Sequence, residues 1–403
     1  MPMNYIDLFA GCGGLSLGLY NAGWHGLFAV EKNTDAFLTL ESNLIKKKAH
    51  YAWPQWLEKS SLDIYEVIKK HSEQLRQMQG HVDLVVGGPP CQGFSMAGSR
   101  KANDARNQLF MAYLEFIQLV KPDTLVFENV HGFTVAFPDD EGKKGDAYSK
   151  KITDALKEQG YQALGKLIDM SEYGVPQRRK RYILVASKVF DPKLFFDKLE
   201  SNKEKFLASK QLKNHVNIEE AIGDLLMSNG TVECPDFAGF KSGCYGEAKS
   251  AYQKYMRIGS TENVPNSHRF AKHKDTTIEV LRKIMKDSEQ IKRYTPKTFE
   301  GLKKRSVTAL KADAICPTVT SIPDDLIHYK EPRIPTVREV ARIQSFPDWY
   351  EFKGKYTTGG ERRKLEVPRY TQVANAVPPL FAEQVGVVLR ELIENGRNTA
   401  LQS

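Results

Sequence analysis

The sequence of 403 residues has few cysteines and no long hydrophobic run. Its five cysteines are an odd number and lie far apart, which argues against a disulfide framework and favours a reducing cytoplasm. No stretch of about 18 apolar residues is present, so we expect no membrane-spanning helix. The N-terminus, "MPMNYIDLFAGCGG", lacks a basic region before its apolar segment and does not resemble a secretory signal. With 41% hydrophobic and 27% charged residues, the composition is typical of a soluble globular protein.

The sequence also lacks the closely spaced cysteine pairs that structural zinc sites prefer. Cys234, Cys244, His268 and His273 are separated by gaps too wide for such a site, and no C-x-x-C is present. We therefore expect no metal.

Positive charge exceeds negative charge by nine, and the excess is local. The segment 249–305 contains 15 Lys and Arg against 6 Asp and Glu, which equals the surplus of the whole chain. A basic surface of this kind is typical of a protein that binds a polyanion such as nucleic acid. A solvated helical face is the alternative, because "EVLRKIMKDSEQIKRY" mixes both signs at helical spacing.

The first 190 residues alternate short apolar runs with amphipathic segments. Five buried strands are predicted, at "NYIDLFA" (4–10), "GLFAVE" (26–31), "VDLVVGG" (82–88), "TLVFENV" (124–130) and "RYILVAS" (181–187). Helices are predicted between them, for example over 107–120 and over 148–160, where Gly160 ends the helix. This alternation predicts an α/β domain with a parallel sheet covered on both faces, and ligands bind such domains at the carboxyl ends of the strands.

The rest of the chain loses this rhythm. We predict a catalytic domain over 1–190, a smaller irregular domain over 191–330, a helical hinge over 331–365 and a C-terminal segment over 366–403 that returns to the first domain. The last segment begins its helix with proline and closes it with Gly396.

A glycine-rich turn follows the first predicted strand. Gly11, Gly13 and Gly14 in "FAGCGGLSLGL" let the backbone turn tightly against a ligand before a helix. A dinucleotide fingerprint would have glycine where Ser16 stands, so the turn indicates a nucleotide-like cofactor only weakly. Glu31 ends the second strand, where a carboxylate can bind ribose hydroxyls, and Asp63 is a similar acid; each could equally be a helix cap or a surface charge.

Cys91 follows Pro89 and Pro90 in "GGPPCQGFS". The two prolines stiffen the turn, and a thiolate there could act as a nucleophile at a strand end. A small buried cysteine is the alternative reading.

Two further strand ends carry polar groups. Glu128 in "VFENV" is costly to bury unless it is paired, so it either points into a site or faces water at the strand end. Arg179 and Arg181 in "QRRKRYILVAS" alternate along an extended segment and share one side of it. They could hold an oxyanion, a base carbonyl or a phosphate, or could form a solvated basic edge.

In their order along the chain, these motifs resemble those of DNA (cytosine-5) methyltransferases. The resemblance is carried by "DLFAGCGGLSLGL", Glu31, "SLDI", "GGPPCQGFS", "VFENV", "QRRKRYILVA", "RIPTVREVARIQSFP" and "QVANAVPPL", and it covers 4–187 and 331–395. It implies a Rossmann-like S-adenosylmethionine-dependent methyltransferase fold, with target recognition in the variable region between the two matched parts.

The resemblance also implies S-adenosylmethionine as the cofactor. Glu31 would hold its ribose, Asp63 with Ile64 its adenine, and the remaining pocket residues would be Phe9, Gly11, Gly13, Gly14, Lys32, Pro89, Leu109, Asn375, Ala376 and Val377. Two of the positions depart from the family pattern: Lys32 follows the ribose-binding acid where the family often has an apolar residue, and Ala374 replaces a common glycine.

The resemblance assigns the chemistry to four residues. Cys91 would add to carbon 6 of cytosine, Glu128 would stabilise ring nitrogen 3, and Arg179, with Arg181 beside it, would hold the base carbonyl. The target cytosine must be flipped out of the duplex for this, as in other DNA methyltransferases. Ser95, Arg106 and Gln177 are predicted DNA contacts, and 95–108 a closing loop.

The expected partner is double-stranded DNA, with a cognate restriction endonuclease or another defence system acting on the same site. We expect a monomer in the cytoplasm. Three alternatives remain at the level of the sequence: a transfer RNA cytosine-5 methyltransferase, a non-catalytic DNA-binding relic of the fold, and, most remotely, a nicotinamide-dependent oxidoreductase.

Overall fold

A computed structural model describes residues 3–89, 105–136, 147–302, 304–358 and 366–402. The chain forms two compact units, neither of which is continuous in sequence. The first comprises Met1–Met170, Arg179–Lys203 and Phe381–Ser403, and the second comprises Ser171–Arg178 and Glu204–Leu380. The predicted boundaries at 190, 330 and 365 therefore differ from those of the units, because 331–380 belongs with the second unit.

The first unit is built on a six-stranded sheet. Its strands are β1 (Asn4–Leu8), β2 (His25–Val30), β3 (Leu84–Gly87), β4 (Thr124–Val130), β5 (Gln162–Asp169) and β6 (Lys180–Ser187). Their order is β2-β1-β3-β4-β6-β5; the first four run parallel, and β6 runs antiparallel to both of its neighbours. This arrangement confirms the prediction of an α/β fold with a mostly parallel sheet.

Strand β5 was missed at the level of the sequence. It is the edge strand, and most of its residues are exposed or half-buried, so it lacks the continuous apolar run that marked the other five. Gly165 interrupts it further, because the Tyr182 hydroxyl would lie 2.1 Å from a Cβ at that position.

The described residues contain twelve α-helices. They are α1 (Gly14–Asn21), α2 (Thr34–Leu40), α3 (Ile64–Gln77), α4 (Ala105–Val120), α5 (Tyr148–Glu158), α6 (Pro192–Ser209), α7 (Ile218–Ile222), α8 (Ala251–Met256), α9 (Asp275–Asp287), α10 (Val337–Ile343), α11 (Arg369–Asn375) and α12 (Pro379–Gln402). Among them, no helix is long and apolar enough to cross a membrane.

The end predicted for the last helix is wrong. Helix α12 continues through Gly396 to Gln402. A Cβ at Gly396 would lie 2.2 Å from the Val189 carbonyl oxygen, so this glycine allows close packing within the first unit and does not end the helix.

The second unit contains two small sheets. Strands β7 (Thr231–Glu233) and β8 (Lys241–Gly243) pair antiparallel, and β9 (Lys292–Tyr294), β10 (Val307–Ala309) and β11 (Leu326–Ile327) form a three-stranded sheet. Leu281 and Ile284 of α9 share a small hydrophobic cluster with Tyr294 and Ile327. The basic segment 249–305 identified in the sequence lies within this unit.

Strand order in the first unit determines which side chains can share a site. The carboxyl ends of β1, β2, β3 and β4 lie at one edge of the sheet, with Leu8 paired to both Val30 and Gly87. Because β6 is antiparallel, its amino end lies at that same edge, where Arg181 pairs with Val130. The residues that precede and open β6 therefore lie beside the end of β4.

Candidate active site and cofactor pocket

The glycine loop after β1 is a tight turn with open space beside Gly11. Phe9, Gly11 and Gly13 have φ angles of 57°, 57° and 85°, and the Gly13 amide donates to the Ala10 carbonyl at 2.9 Å. No atom of the described residues lies within 4 Å of a Cβ built at Gly11. Gly14 then begins α1. The loop therefore leaves space beside Gly11 where a ligand can lie against the backbone.

Glu31 is tied to this loop at the end of β2. Its Oε2 accepts from the Gly11 amide at 2.8 Å and its Oε1 accepts from the Asn33 amide at 2.7 Å. Burial raises the pKa of Glu31, and the backbone donors oppose the shift. A carboxylate offers about four acceptor positions, so capacity remains for the hydroxyl groups of a ribose.

Asp63 lies at the start of α3, beside the same strand end. Its Oδ1 accepts from the Tyr65 amide at 3.0 Å and caps the helix, and its Oδ2 lies 2.8 Å from Lys32 Nζ. The Leu62 amide donates to the Glu31 carbonyl at 2.7 Å, which fixes this segment to β2. Ile64 is buried, while the Lys32 side chain is 79% exposed. Lys32, which departs from the family pattern, therefore lies at the surface and pairs with Asp63.

A buried polar network underlies the loop, and sequence reasoning missed it. Asp7 of β1 accepts from the Ser16 hydroxyl, which lies 2.5 Å from the Tyr51 hydroxyl; Tyr5 then joins Tyr51 to His50. Burial raises the pKa of Asp7 to about 7, and Glu31 adds to this shift while Ser16 opposes it. The only signal was an acid in the middle of the apolar run "YIDLF".

Two glycines bring β3 against its neighbours before the cysteine turn. A Cβ at Gly87 would lie 1.9 Å from the Leu8 carbonyl oxygen, and one at Gly88 would lie 1.9 Å from the Glu128 carbonyl oxygen. Asn129 donates from Nδ2 to the carbonyl of buried Pro89 at 3.4 Å. Cys91 itself lies outside the described residues, as does Ser95.

Glu128, Arg179 and Arg181 come together where β4 ends and β6 begins. Arg181 Nε lies 3.1 Å from Glu128 Oε1, and both side chains are less than one-fifth exposed. The contact is an ion pair and does not have the alignment of a hydrogen bond, so Oε1 still lacks a donor among the described residues. The structure therefore brings these three predicted catalytic residues to one edge of the sheet.

Arg179 is the least compensated member of this group. It is 1% exposed, and its Nε and Nη1 find no hydrogen-bond acceptor among the described residues. Burial lowers the pKa of its guanidinium to about 9, Arg181 adds to the shift, and Glu128 opposes it. A buried cation with unused donors is costly for the fold, and it is suited to bind a polar or anionic ligand atom.

The remaining predicted residues lie in different places. Leu109 is half-buried on α4, and Arg106 lies in the first turn of that helix, with its side chain outside the described part. Asn375 is exposed at the end of α11, and Ala376 and Val377 follow it half-buried.

Gln177 does not have the geometry expected of a DNA contact. It is fully buried, its Nε2 donates to Gln344 Oε1 at 2.8 Å, and its Oε1 accepts from the Val319 amide at 2.9 Å. Both ends of the amide are occupied within the second unit, so Gln177 supports the backbone there and cannot contact a base without breaking these bonds.

The described residues contain no group of three or more His, Cys, Asp or Glu that could hold a metal ion. Two residues of the candidate zinc set already have other partners. Cys234 donates to Asp236 Oδ1 at 3.1 Å, and His268 lies between the Thr336 hydroxyl and the Leu225 carbonyl.

Comparison with known proteins accounts for almost the whole chain. The model of the family described as C-5 cytosine-specific DNA methylase matches residues 3–391. The type II methyltransferase M.DdeI of Desulfomicrobium norvegicum is 32% identical over 410 residues, covering 98% of this chain and 90% of that protein. The type II methyltransferase M.XorII of Xanthomonas oryzae pv. oryzae is 29% identical, covering 94% and 83%.

Solved structures share the fold at lower identity. A DNA modification methyltransferase encoded within a prophage of E. coli aligns with a TM-score of 0.66 and 23% identity, covering 97% of this chain and 99% of that one. The S. pombe Dnmt2 methyltransferase aligns with a TM-score of 0.53 and 17% identity, covering 98% and 99%. Both similarities concern the fold alone.

Proposed function

Because the chain belongs to the C-5 cytosine-specific DNA methylase family and is a DNA (cytosine-5) methyltransferase, we propose that it uses S-adenosylmethionine and attacks cytosine through Cys91. The observation that carries this proposal is the buried guanidinium of Arg179, which interacts with Glu128 and has two donors without acceptors among the described residues. Both residues lie at the edge of the sheet where "GGPPC" leaves β3. A transfer RNA substrate is not favoured, because the family that matches residues 3–391 is described as a DNA methylase.

The residues of the first unit fit the proposed cofactor. Glu31 has acceptor capacity for ribose hydroxyls, Asp63 and Ile64 border the same strand end, and the space at Gly11 can admit a ligand against the backbone. When bound, S-adenosylmethionine supplies an electrophilic methyl group. The chain's own contribution is to hold this donor against the loop and to exclude water from it.

Activation of cytosine falls to the residues at β4 and β6. Carbon 5 of cytosine is a poor nucleophile, and addition of the Cys91 thiolate at carbon 6 moves electron density onto carbon 5 and ring nitrogen 3. Glu128 is placed to hydrogen-bond ring nitrogen 3, and Arg179 to donate to the carbonyl oxygen at carbon 2. After carbon 5 has gained the methyl group, it loses its proton to a base, and the thiolate leaves carbon 6.

Arg181 acts by positioning Glu128. Its guanidinium pairs with the carboxylate and donates from Nη1 to the Lys180 carbonyl at 2.9 Å, which fixes both side chains. Asn129 has a similar role for the cysteine turn, because its amide holds the Pro89 carbonyl.

The substrate we propose is a specific sequence in duplex DNA, with the target cytosine flipped out and the second unit reading the flanking base pairs. The 15 Lys and Arg of the segment 249–305 support an interface with phosphates there. Since the curated relatives are type II methyltransferases, we further propose that methylation protects cytoplasmic DNA from a restriction endonuclease with the same target site.

The test is methyl transfer to a defined base. Purified protein is incubated with duplex DNA and labelled S-adenosylmethionine, and bisulfite sequencing of DNA from an expressing host identifies the modified sequence. We expect 5-methylcytosine at one short sequence and a loss of at least about a hundredfold in rate for Glu128→Gln. Label on adenine, or on RNA in preference to DNA, would contradict the proposal.

A further inference from the structure

A cluster of three aromatic rings in the second unit surrounds Arg269. The carbon centre of its guanidinium lies 3.9 Å from the ring centroid of Tyr356, 4.2 Å from that of Phe240 and 4.8 Å from that of Phe237. Phe237 contacts the other two rings edge to face, at interplanar angles of 80° and 87°. Arg269 thus has aromatic partners on several sides.

The backbone around this cluster is fixed by hydrogen bonds. Arg269 forms a β-bridge with Ser242 of β8, and the Phe270 amide donates to the Lys241 carbonyl at 2.9 Å. The turn that carries Phe237 and Phe240 is closed by the Cys234 amide, which donates to the Phe240 carbonyl at 2.8 Å. The guanidinium is therefore presented by an ordered frame.

Arg269 differs from Arg338 and Arg369 of the same unit because its guanidinium donates no hydrogen bond to the described residues. Arg338 donates to three backbone carbonyls, and Arg369 donates to Asp236 and to the Gly354 carbonyl. By contrast, Arg269 Nε is buried without a hydrogen-bond partner among the described residues, while Nη1 and Nη2 are neither buried nor bonded there.

Asp236, an acid that contacts the cluster through Tyr356, already has other partners. Asp236 accepts from Tyr356 at 2.8 Å and from Cys234 at 3.1 Å, and it pairs with Arg369. A structural arginine would be expected to satisfy its donors within the fold, since an unpaired buried donor lowers stability. The three rings instead pack around the guanidinium, and its Nη1 and Nη2 have no hydrogen-bond partner among the described residues.

We propose that Arg269 reads a guanine in the target sequence, donating from Nη1 and Nη2 to its O6 and N7. This inference rests on the proposed function, since it assigns a base contact to the DNA on which the enzyme acts. A stacked guanidinium with two free parallel donors matches the acceptor pair that guanine presents in the major groove. Lys272 supports this orientation toward DNA: its Nζ lies 4.9 Å from the Phe240 centroid, next to Arg269, and its side chain is exposed.

The frame explains why arginine is needed. A lysine would keep the charge but would lose both the planar stack and the second donor. Tyr356 has two contributions that substitution can separate, because Tyr356→Phe removes the hydrogen bond to Asp236 and keeps the ring, whereas Tyr356→Leu removes the ring.

The experiment measures sequence preference by binding and by methyl transfer. Wild-type protein and the variants Arg269→Lys, Arg269→Met, Tyr356→Phe and Tyr356→Leu each select duplexes from a randomised DNA library. Single-pair replacements of the selected sequence are then compared in methyl transfer. Arg76→Ala, which changes an exposed arginine on α3 outside the segment 249–305, is the control. Melting temperature is recorded for every protein.

For Arg269→Lys and Arg269→Met we expect discrimination at one guanine to fall about ten- to a hundredfold, while the other positions keep theirs. Tyr356→Leu should weaken the same position, and Tyr356→Phe and Arg76→Ala should preserve the wild-type preference. Selection of a sequence through Arg269 by a wild-type protein that transfers no methyl group would support this inference and contradict the proposed function.

Two results would overturn the inference. Uniform weakening across all sequences, with a salt dependence reduced by about one phosphate contact, would make Arg269 a backbone contact. A lower melting temperature with an unchanged sequence preference would make it a structural residue.

Discussion

Some side chains of the candidate site lie in environments that lower the stability of the fold. Arg179 is the clearest case, because its buried guanidinium has two donors without acceptors among the described residues. If these donors bind a base in the complex, they are unpaired in the free enzyme and lower its stability. Function and stability should then separate at this position.

We predict that Arg179→Met stabilises the chain by about 1 kcal/mol or more while abolishing methyl transfer, because methionine fills similar space without a charge. Urea unfolding measures the first effect, and label transfer measures the second. The control is Arg342→Met, which removes an equally buried arginine that is paired with Asp224 and Asp348. That variant should lose about 3 kcal/mol or more. Equal losses in the two variants would mean that Arg179 is compensated as well as Arg342.

Asp7 gives a prediction that depends on pH. Its pKa is raised by burial from 3.8 to about 7, so between these values the folded chain binds a proton that the unfolded chain has released. The stability from this site is therefore fully present below about pH 4 and is lost as the pH rises through 7. Asparagine cannot titrate, so the melting temperature of Asp7→Asn relative to wild type should rise from pH 5 to about pH 7 and level off by pH 8. A constant difference over this range would contradict the raised pKa.

At the level of residues, the sequence led to predictions only for those that carry a motif. Glu128, Arg179, Glu31 and Asp63 were predicted because each follows or precedes a strand in a recognisable order. Asp7 and Arg269 were not, because each depends on distant partners: Tyr51 in the first case, and Phe240 and Tyr356 in the second. No local pattern indicates such contacts.

Among the structural elements, the end of β3 packs closely against its neighbouring strands at Gly87 and at Gly88, which follows it. We predict that Gly88→Ala lowers the free energy of unfolding by about 3 kcal/mol or more, because its Cβ would lie 1.9 Å from a backbone oxygen that cannot move without disturbing β4. Gly80→Ala is the control. Gly80 has a φ of 80° but no described atom within 4 Å of its Cβ, so this variant should lose only about 1 kcal/mol. Similar losses in the two variants would mean that the close approach of Gly88 to the Glu128 carbonyl does not require glycine.

Periodicity predicted the buried elements well and the others poorly. The strand predicted over 124–130 coincides with β4, and the other four predicted strands differ from the structure by up to two residues at each end. These strands are mostly buried, so apolar residues fill most of their positions. Strand β5 was missed because most of its residues are exposed or half-buried and Gly165 interrupts it. The end of α12 was predicted wrongly because Gly396 allows close packing and does not end the helix.

For the whole molecule, the family and its reaction were predictable from the order of the motifs, and the match over residues 3–391 confirms them. The division into units was harder to foresee, because each unit draws on separate parts of the chain. Ser171–Arg178 belongs to the second unit although it lies between two strands of the first. A reading along the sequence assigns such a segment to its neighbours.

The most direct test of the account is to trap the covalent adduct. A duplex containing the target sequence with 5-fluorocytosine at the methylated position is incubated with the protein and S-adenosylmethionine, because fluorine at carbon 5 prevents elimination of the thiolate. We predict a complex that survives denaturation and whose cross-linked peptide contains Cys91, and we predict none with Cys91→Ser. A cross-link at any other cysteine, or none at all from a protein that methylates the unmodified duplex, would contradict the account.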